Sequence, residues 1–270
     1  MYGLPNDYLC TAKRIICVFL DKNKKRKEIS GTCFFVKNNN DKLCLITNRH
    51  IVDINYKEET SKFKDFELFK IFIQCKSKNA QTGLPTEDTE LLILNHLELK
   101  LPTNQDNDIA CLIEPQVFNQ TNPLLQTFID FWIPYELIAT QEKLNNNLTI
   151  CDFVAFPGFP EWYDKKNRLP IIRTGTIASD SRLDYSEKEE DQGNRIAYEA
   201  FSHGGSSGSP VFALAKGINV SGALSGGGYR PEMLIGINGG HYTVSGSPSK
   251  EHSGLSYFYK SSSIIELIDN

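Results

Sequence analysis

Short runs of β-branched and aromatic residues, each closed by turn-forming residues, recur along nearly the whole chain. That pattern points to an all-β fold built from many short strands. Residues 14–20 (RIICVFL), 31–37 (GTCFFVK) and 43–47 (LCLIT) are too short for ordinary helices and rich in side chains that pack on a pleated surface. Asn38-Asn39-Asn40-Asp41 between the last two reads as a tight turn, and the basic run 22–27 (KNKKRK) as a solvated hairpin loop. Residues 66–75 and 91–101 predict two longer strands, and 109–113 (IACLI) a buried one.

Residues 123–144 break the pattern. Pro123 is placed to open a helix, with Leu124, Leu125, Phe128, Ile129 and Trp132 on one helical face. This stretch is therefore expected to be a partly helical linker between an N-terminal unit, residues 1–122, and a C-terminal unit, residues 145–270. Strand signals resume at 148–156, 171–179, 195–201, 211–214, 233–237 and 255–259, and 261–268 reads as a short helix capped by serine. The charged run 184–194 (DYSEKEEDQGN) is expected to be a mobile surface loop.

Composition excludes several classes. Hydrophobic residues at 40% and charged residues at 23% suit a globular protein and argue against disorder. A net charge of −4 offers no general attraction for nucleic acid or an anionic membrane, and no apolar run is long enough for a membrane span. Met1-Tyr2-Gly3-Leu4-Pro5-Asn6-Asp7 lacks the basic start and long apolar stretch of a secretory leader. The seven cysteines (Cys10, Cys17, Cys33, Cys44, Cys75, Cys111 and Cys151) are odd in number, show no C-x-x-C spacing and mostly sit in apolar runs. They predict buried thiols, no structural zinc and a cytoplasmic location. Three sequons, at Asn119, Asn147 and Asn219, are expected as chance matches in a chain rich in Asn and Ser.

Three segments carry chemistry. Residues 204–212 read GGSSGSPVF. Acyl transfer needs a hydroxyl beside backbone N–H groups aimed at a developing oxyanion, and glycines allow the tight turn that arranges them. Ser207 is then the nucleophile, with the N–H groups of Gly205 and Ser207 as oxyanion donors; the plain alternative is a Gly/Ser surface loop. His50 follows the apolar strand 43–47 and Thr47-Asn48-Arg49, at a strand end that projects it into a cleft; the other histidines are His96, His203, His241 and His252. Asp108 stands just ahead of a buried strand, where an acid can orient an imidazole, with Asp106 as its rival for that role.

The order His50, Asp108, Ser207 resembles that of the chymotrypsin-like serine peptidases, and more narrowly the HtrA-type, trypsin-like bacterial peptidase domains. The motifs that carry the resemblance are Leu45-Ile46-Thr47-Asn48-Arg49-His50-Ile51-Val52, Asp108-Ile109-Ala110, Gly205 to Pro210 and Leu234-Ile235-Gly236-Ile237-Asn238. The resemblance spans residues 14–268. It implies two perpendicular six-stranded β-barrels with the triad in the cleft between them and a last helix packed back on a barrel. It also implies a serine endopeptidase that acts on protein or peptide substrates through an acyl-enzyme, with no cofactor and no metal. The specificity pocket would be walled by Phe201, Ser202 and His203 on one side and by the strand end Asn238, Gly239 and Gly240, with His241, on the other. No Asp or Glu falls at its floor, so a Lys or Arg side chain finds no counter-charge. An uncharged residue, apolar or small, is expected there, with His203 or His241 selecting a polar side chain such as Gln as the alternative.

Departures from the family are informative. Ile51 stands where secreted relatives carry a cysteine, which leaves Cys33 without that partner and fits a reducing compartment. A PDZ domain is not expected in this chain. Ser206 precedes Ser207, where the digestive members carry an Asp that pairs with a newly freed N-terminal amine, so activation by N-terminal cleavage is not expected. The oxyanion loop must then be held by neutral hydrogen bonds, or ordered by substrate or an activating protein partner. The alternative function is a protease-fold binding or latent regulatory protein, silent until a partner orders that loop. An esterase of another fold would need G-x-S-x-G and the order Ser, acid, His, which this chain does not have.

Overall fold

The computed structural model describes residues 3–57, 62–95, 98–217, 229–244 and 251–269; His96 and the Asn219 sequon lie outside them. In chain order the N-terminal half forms β1 (Ala12–Leu20), β2 (Arg26–Lys37), β3 (Leu43–Thr47), the helical turn α1 (Arg49–Val52), β4 (Glu67–Lys78), β5 (Pro85–Asn95), β6 (Leu99–Lys100), β7 (Ala110–Ile113), β8 (Gln116–Asn119) and β9 (Asn122–Gln126). These strands pair antiparallel in one sheet of order β6-β7-β3-β2-β1-β4-β5-β8-β9. After α2 (Gln141–Asn147) come β10 (Phe153–Gly158), β11 (Ile171–Ile177), β12 (Arg195–Glu199), β13 (Pro210–Ala213), β14 (Met233–Thr243), β15 (His252–Lys260) and α3 (Ser261–Asp269). These six strands close into a barrel, β10-β11-β12-β15-β14-β13. The all-β expectation therefore holds, and the C-terminal unit is the closed six-stranded barrel. The N-terminal unit differs: it is a nine-stranded half-barrel sheet, three strands more than expected, with β8 and β9 added at its edge beyond the long β4–β5 hairpin.

Period-2 alternation explains how the two units join. Along β2, Cys33 and Phe35 enter the core of the N-terminal sheet with Ile15, Leu45 and Leu112. Phe34 and Val36, on the opposite face, enter a second core with Ile46, Ile109, Phe212, Leu234, Tyr259 and the α3 residues Ile264, Leu267 and Ile268. A strand buried on both faces must read as a continuous apolar run, as GTCFFVK does. Each of these fully buried phenylalanines contributes roughly 1.5–3 kcal/mol of burial free energy. The barrel has its own interior, with Phe156, Tyr198, Val211, Ile235 and Phe258.

The helix expected from Pro123 does not form. Asn122–Gln126 is strand β9, turned back onto β8 by a tight turn in which the Asn119 side chain accepts from the Thr121 N–H and hydroxyl. Beyond it Ile129, Phe131 and Ile133 are buried at every second residue, which is extended rather than helical spacing. The buried Lys13 ammonium holds the Phe131 carbonyl at 3.1 Å. The linker's helix lies later, at Gln141–Asn147, where the Thr140 hydroxyl accepts from the Lys143 N–H. The basic run 22–27 does sit at a hairpin, with Asp21 accepting from the Asn23 and Lys25 N–H groups. Strand β14 runs on to Thr243, past its expected end at Ile237, with register shifts around Asn238–Gly240 and His241–Thr243.

Candidate active site

The site is built where β2 touches both units. His50 is the second residue of α1, a single helical turn at the end of β3. Its neighbours Ile51 and Val52 are buried in the N-terminal core, which anchors the turn and leaves the imidazole 39% exposed. Asp108 stands just ahead of β7, which pairs with β3, so the two residues meet across adjacent strands. Asp108 Oδ2 lies 2.5 Å from His50 Nδ1, and its Oδ1 accepts from the His50 backbone N–H at 2.9 Å. The carboxylate is 9% exposed. This pairing puts the ring proton on Nδ1 and leaves the Nε2 lone pair free.

The support behind Asp108 is polar and buried. Asn48 donates to the Asp108 carbonyl at 2.6 Å, tying the residue ahead of α1 to the residue ahead of β7. Asn107 is fully buried and bonds Asn194 and the Ser263 hydroxyl. The end of the charged loop 184–194 thus buttresses this corner. Asp106 goes elsewhere, pairing with Lys57 at 2.8 Å near the surface.

Ser207 lies in the turn between β12 and β13. Gly205 and Gly208 have φ of +91° and +87°, and a Cβ on Gly208 would stand 1.9 Å from the Thr32 carbonyl oxygen. Only glycine fits such a backbone conformation against so close a neighbour. Each peptide of this turn is held. The Gly205 carbonyl accepts from the Thr32 hydroxyl at 2.7 Å, and the Ser207 carbonyl from the Thr32 N–H at 2.9 Å. The Ser206 carbonyl accepts from the Asn238 amide at 2.9 Å and from the Ser209 N–H at 3.1 Å. A trans peptide sets its N–H opposite its carbonyl, so anchoring the Ser206 carbonyl aims the Ser207 N–H the other way. Among the described residues neither the Gly205 nor the Ser207 N–H has a protein acceptor.

The His50 and Ser207 turns converge over Gly31. A Cβ there would stand 2.4 Å from the Ile51 side chain and 3.3 Å from the Ser207 carbonyl. The Ser207 hydroxyl and His50 Nε2 form no hydrogen bond here; in unliganded sites this link is often long and tightens with substrate.

Of the residues expected at the pocket, Phe201 is exposed, while Ser202 and Asn238 are buried. Asn238 accepts from the Tyr198 hydroxyl at 2.7 Å and donates to the Ser202 hydroxyl at 2.9 Å, so it braces the wall from behind. Gly239 packs under the Tyr257 and Tyr259 rings. His203 and His241 come together with His252, a residue for which the sequence offered no signal beyond its type. Thr32 was missed as well; its one hint was a small polar residue between Gly31 and a run of core side chains.

A half-barrel sheet and a closed barrel that bring a His–Asp pair and a glycine-flanked serine to their junction define the class of the trypsin-like peptidases. The family model for the trypsin-like peptidase domain matches residues 31–219, most of the chain, and the chain belongs to that family. The matched segment contains His50, Asp108 and Ser207. Among solved structures the chain is similar to the HtrA-type protease AlgW with decapeptide, at 13% identity and a TM-score of 0.48. That match covers 93% of this chain and 61% of the other, so the chain spans less than two-thirds of that protein's length. No curated protein matches.

Proposed function

We propose that the chain is a serine endopeptidase. Ser207 attacks a peptide carbonyl while His50 Nε2 takes its proton. The N–H groups of Gly205 and Ser207 receive the developing oxyanion, His50 returns the proton to the leaving amine, and water resolves the acyl-enzyme. Asp108 holds the imidazole in the required tautomer. The observation that carries this reading is the double grip of Asp108 on His50, ring Nδ1 at 2.5 Å and backbone N–H at 2.9 Å. A residue placed only to start a strand has no reason to satisfy both. The reaction as written draws only on protein side chains, backbone and water, and its substrate is a protein or peptide. Seven free thiols support a reducing, cytoplasmic setting.

The test is a peptide-library cleavage profile of the purified chain with Ser207→Ala as control, together with fluorophosphonate labelling at Ser207. Cleavage that survives Ser207→Ala would sink the assignment. A second reading, a latent enzyme awaiting a partner, draws on the missing hydrogen bond between His50 and Ser207. It expects no labelling of the chain alone and labelling once a partner is added.

A further inference from the structure

Three imidazoles crowd the wall beside the Ser207 turn. His203 lies four residues ahead of Ser207, His241 is on β14 and His252 opens β15. The His241 and His252 rings stack at 4.4 Å with 17° between their planes. The His203 ring lies 5.7 Å from His252 and 6.5 Å from His241. Trp162 meets His203 edge-on at 4.8 Å, and the Arg173 guanidinium lies 5.9 Å from the Trp162 ring while donating to the Phe201 carbonyl. The elements packed around the cluster bring Arg173 from β11, Tyr198 from β12 and Tyr257 from β15, and the partnered Glu251 adjoins His252. The three rings do not form a metal-holding group among the described residues.

The rings are not equivalent. His252 Nε2 faces the Ser202 N–H at 3.1 Å and its Nδ1 faces the Gly254 N–H at 2.8 Å. A neutral imidazole accepts at only one nitrogen, so one of these N–H groups already faces a ring N–H, and a second proton would set both nitrogens against donors. Burial, followed by His241 and His203, pushes its pKa down to about 4. It is a neutral brace. His203 and His241 have no such backbone donors and are only partly buried. Burial lowers both, and for His203 Arg173 and His241 add to the effect. Protonation is therefore resisted first by burial, and for His203 by like charge as well, a resistance that an anion placed among them offsets.

We propose that His203 and His241, backed by Arg173, bind an acidic side chain, Glu or Asp, of the peptide substrate on the acyl side of the scissile bond. This rests on the peptidase reading above. It departs from the expectation of an uncharged residue, because it takes Arg173 and the three imidazoles of the wall into account along with the lack of an acid at its floor. A Lys or Arg side chain meets repulsion from Arg173 as well as the lack of a counter-charge. Because the anion restores protonation to the rings, binding above their pKa takes up a proton.

The experiment compares peptides differing only in that residue, Glu, Gln, Leu or Lys, near pH 6 and near pH 8. The Glu peptide should exceed the Gln peptide in kcat/KM by about tenfold near pH 6. That ratio should shrink toward pH 8 as the imidazoles lose their protons, and taking the ratio at one pH cancels any effect of pH common to both peptides. His203→Ala/His241→Ala should abolish the advantage, bringing the Glu peptide to the level of the Gln peptide measured on the same variant. Gln or Leu cleaved as well as Glu, or a ratio indifferent to pH and to the double variant, would overturn the proposal; an apolar preference would mark the rings as a plain aromatic platform. Calorimetry of the same peptides on Ser207→Ala separates the two claims. Tighter binding of the Glu peptide with proton uptake supports the anion site even if nothing is cleaved, and equal binding of Glu and Gln refutes it. Absence of both cleavage and labelling counts against the peptidase reading alone.

Discussion

The Thr32 hydroxyl donates to the Gly205 carbonyl at 2.7 Å and accepts from the Phe159 N–H at 3.0 Å, so one side chain of the N-terminal sheet latches the Ser207 turn of the barrel. The same residue's backbone carbonyl accepts from the Thr47 hydroxyl, three residues ahead of His50, at 2.9 Å. Thr32 therefore ties the His50 strand, the Ser207 turn and the end of β10 to one point. Thr32→Val keeps the shape and removes the hydroxyl. It should lower kcat by about 10- to 100-fold with KM little changed, less than the loss of an oxyanion donor itself. The unpaired Gly205 carbonyl and Phe159 N–H should cost about 1–3 kcal/mol of stability. Thr32→Ser should restore both, and steady-state kinetics beside thermal melts would show whether it does.

The two neighbouring acids should separate cleanly. Asp108→Asn presents the wrong partner to His50 and should lower kcat by roughly 10⁴-fold. Asp106→Asn removes only a partly exposed pair with Lys57, of a kind worth about 0–1 kcal/mol, and should leave turnover nearly unchanged. Peptide hydrolysis by the two variants decides between them, and the reverse outcome would reassign the orienting acid.

The barrel should weaken in mild acid. His252 is held below its ordinary value of 6.5, at about 4, chiefly by burial. Between those values the unfolded chain binds the proton and the folded chain does not, so stability is present above pH 6.5 and declines as pH falls toward 4. The melting temperature of the wild type should drop across that window, and His252→Gln should flatten the dependence. A variant whose melting curve shifts with pH as much as the wild type would exclude His252 as the source.

All seven cysteines are free, with Cys17, Cys33, Cys44 and Cys111 fully buried. Burial pushes the Cys75 thiol up to about 11, which suppresses the reactive thiolate. Alkylation of the native protein should therefore favour exposed Cys151, while denaturation without reductant should expose all seven to label. A reproducible crosslinked peptide in the mass spectrum would contradict this.

Labelling at Ser207 should need no cleavage ahead of Arg14. The residue before the nucleophile is the neutral, buried Ser206, whose carbonyl is already taken by Asn238 and the Ser209 N–H. A buried ammonium would find no carboxylate there, and burying it unpaired is costly. The labelled species should have the mass of the chain from Met1 or Tyr2; labelling confined to a truncated form would show that activation is proteolytic.

Much of this protein was legible in its sequence, because strands and turns are local. The alternation of Cys33, Phe34, Phe35 and Val36, the turn residues at Asn38 to Asp41 and the glycines around Ser207 each act within a few residues of themselves. Family-level spacing then named His50, Asp108 and Ser207. What only the tertiary structure decided are relations between distant segments. The linker at Pro123 became a strand because pairing with β8 and the Lys13 contact to Phe131 outweighed a local helical pattern. The choice of Asp108 over Asp106 depended on which carboxylate reached His50 across β3 and β7. The Thr32 latch and the gathering of His203, His241 and His252 join residues up to 173 positions apart, as Thr32 and Gly205 are. No periodicity records such contacts, since they exist only once the sheet and the barrel have closed on each other.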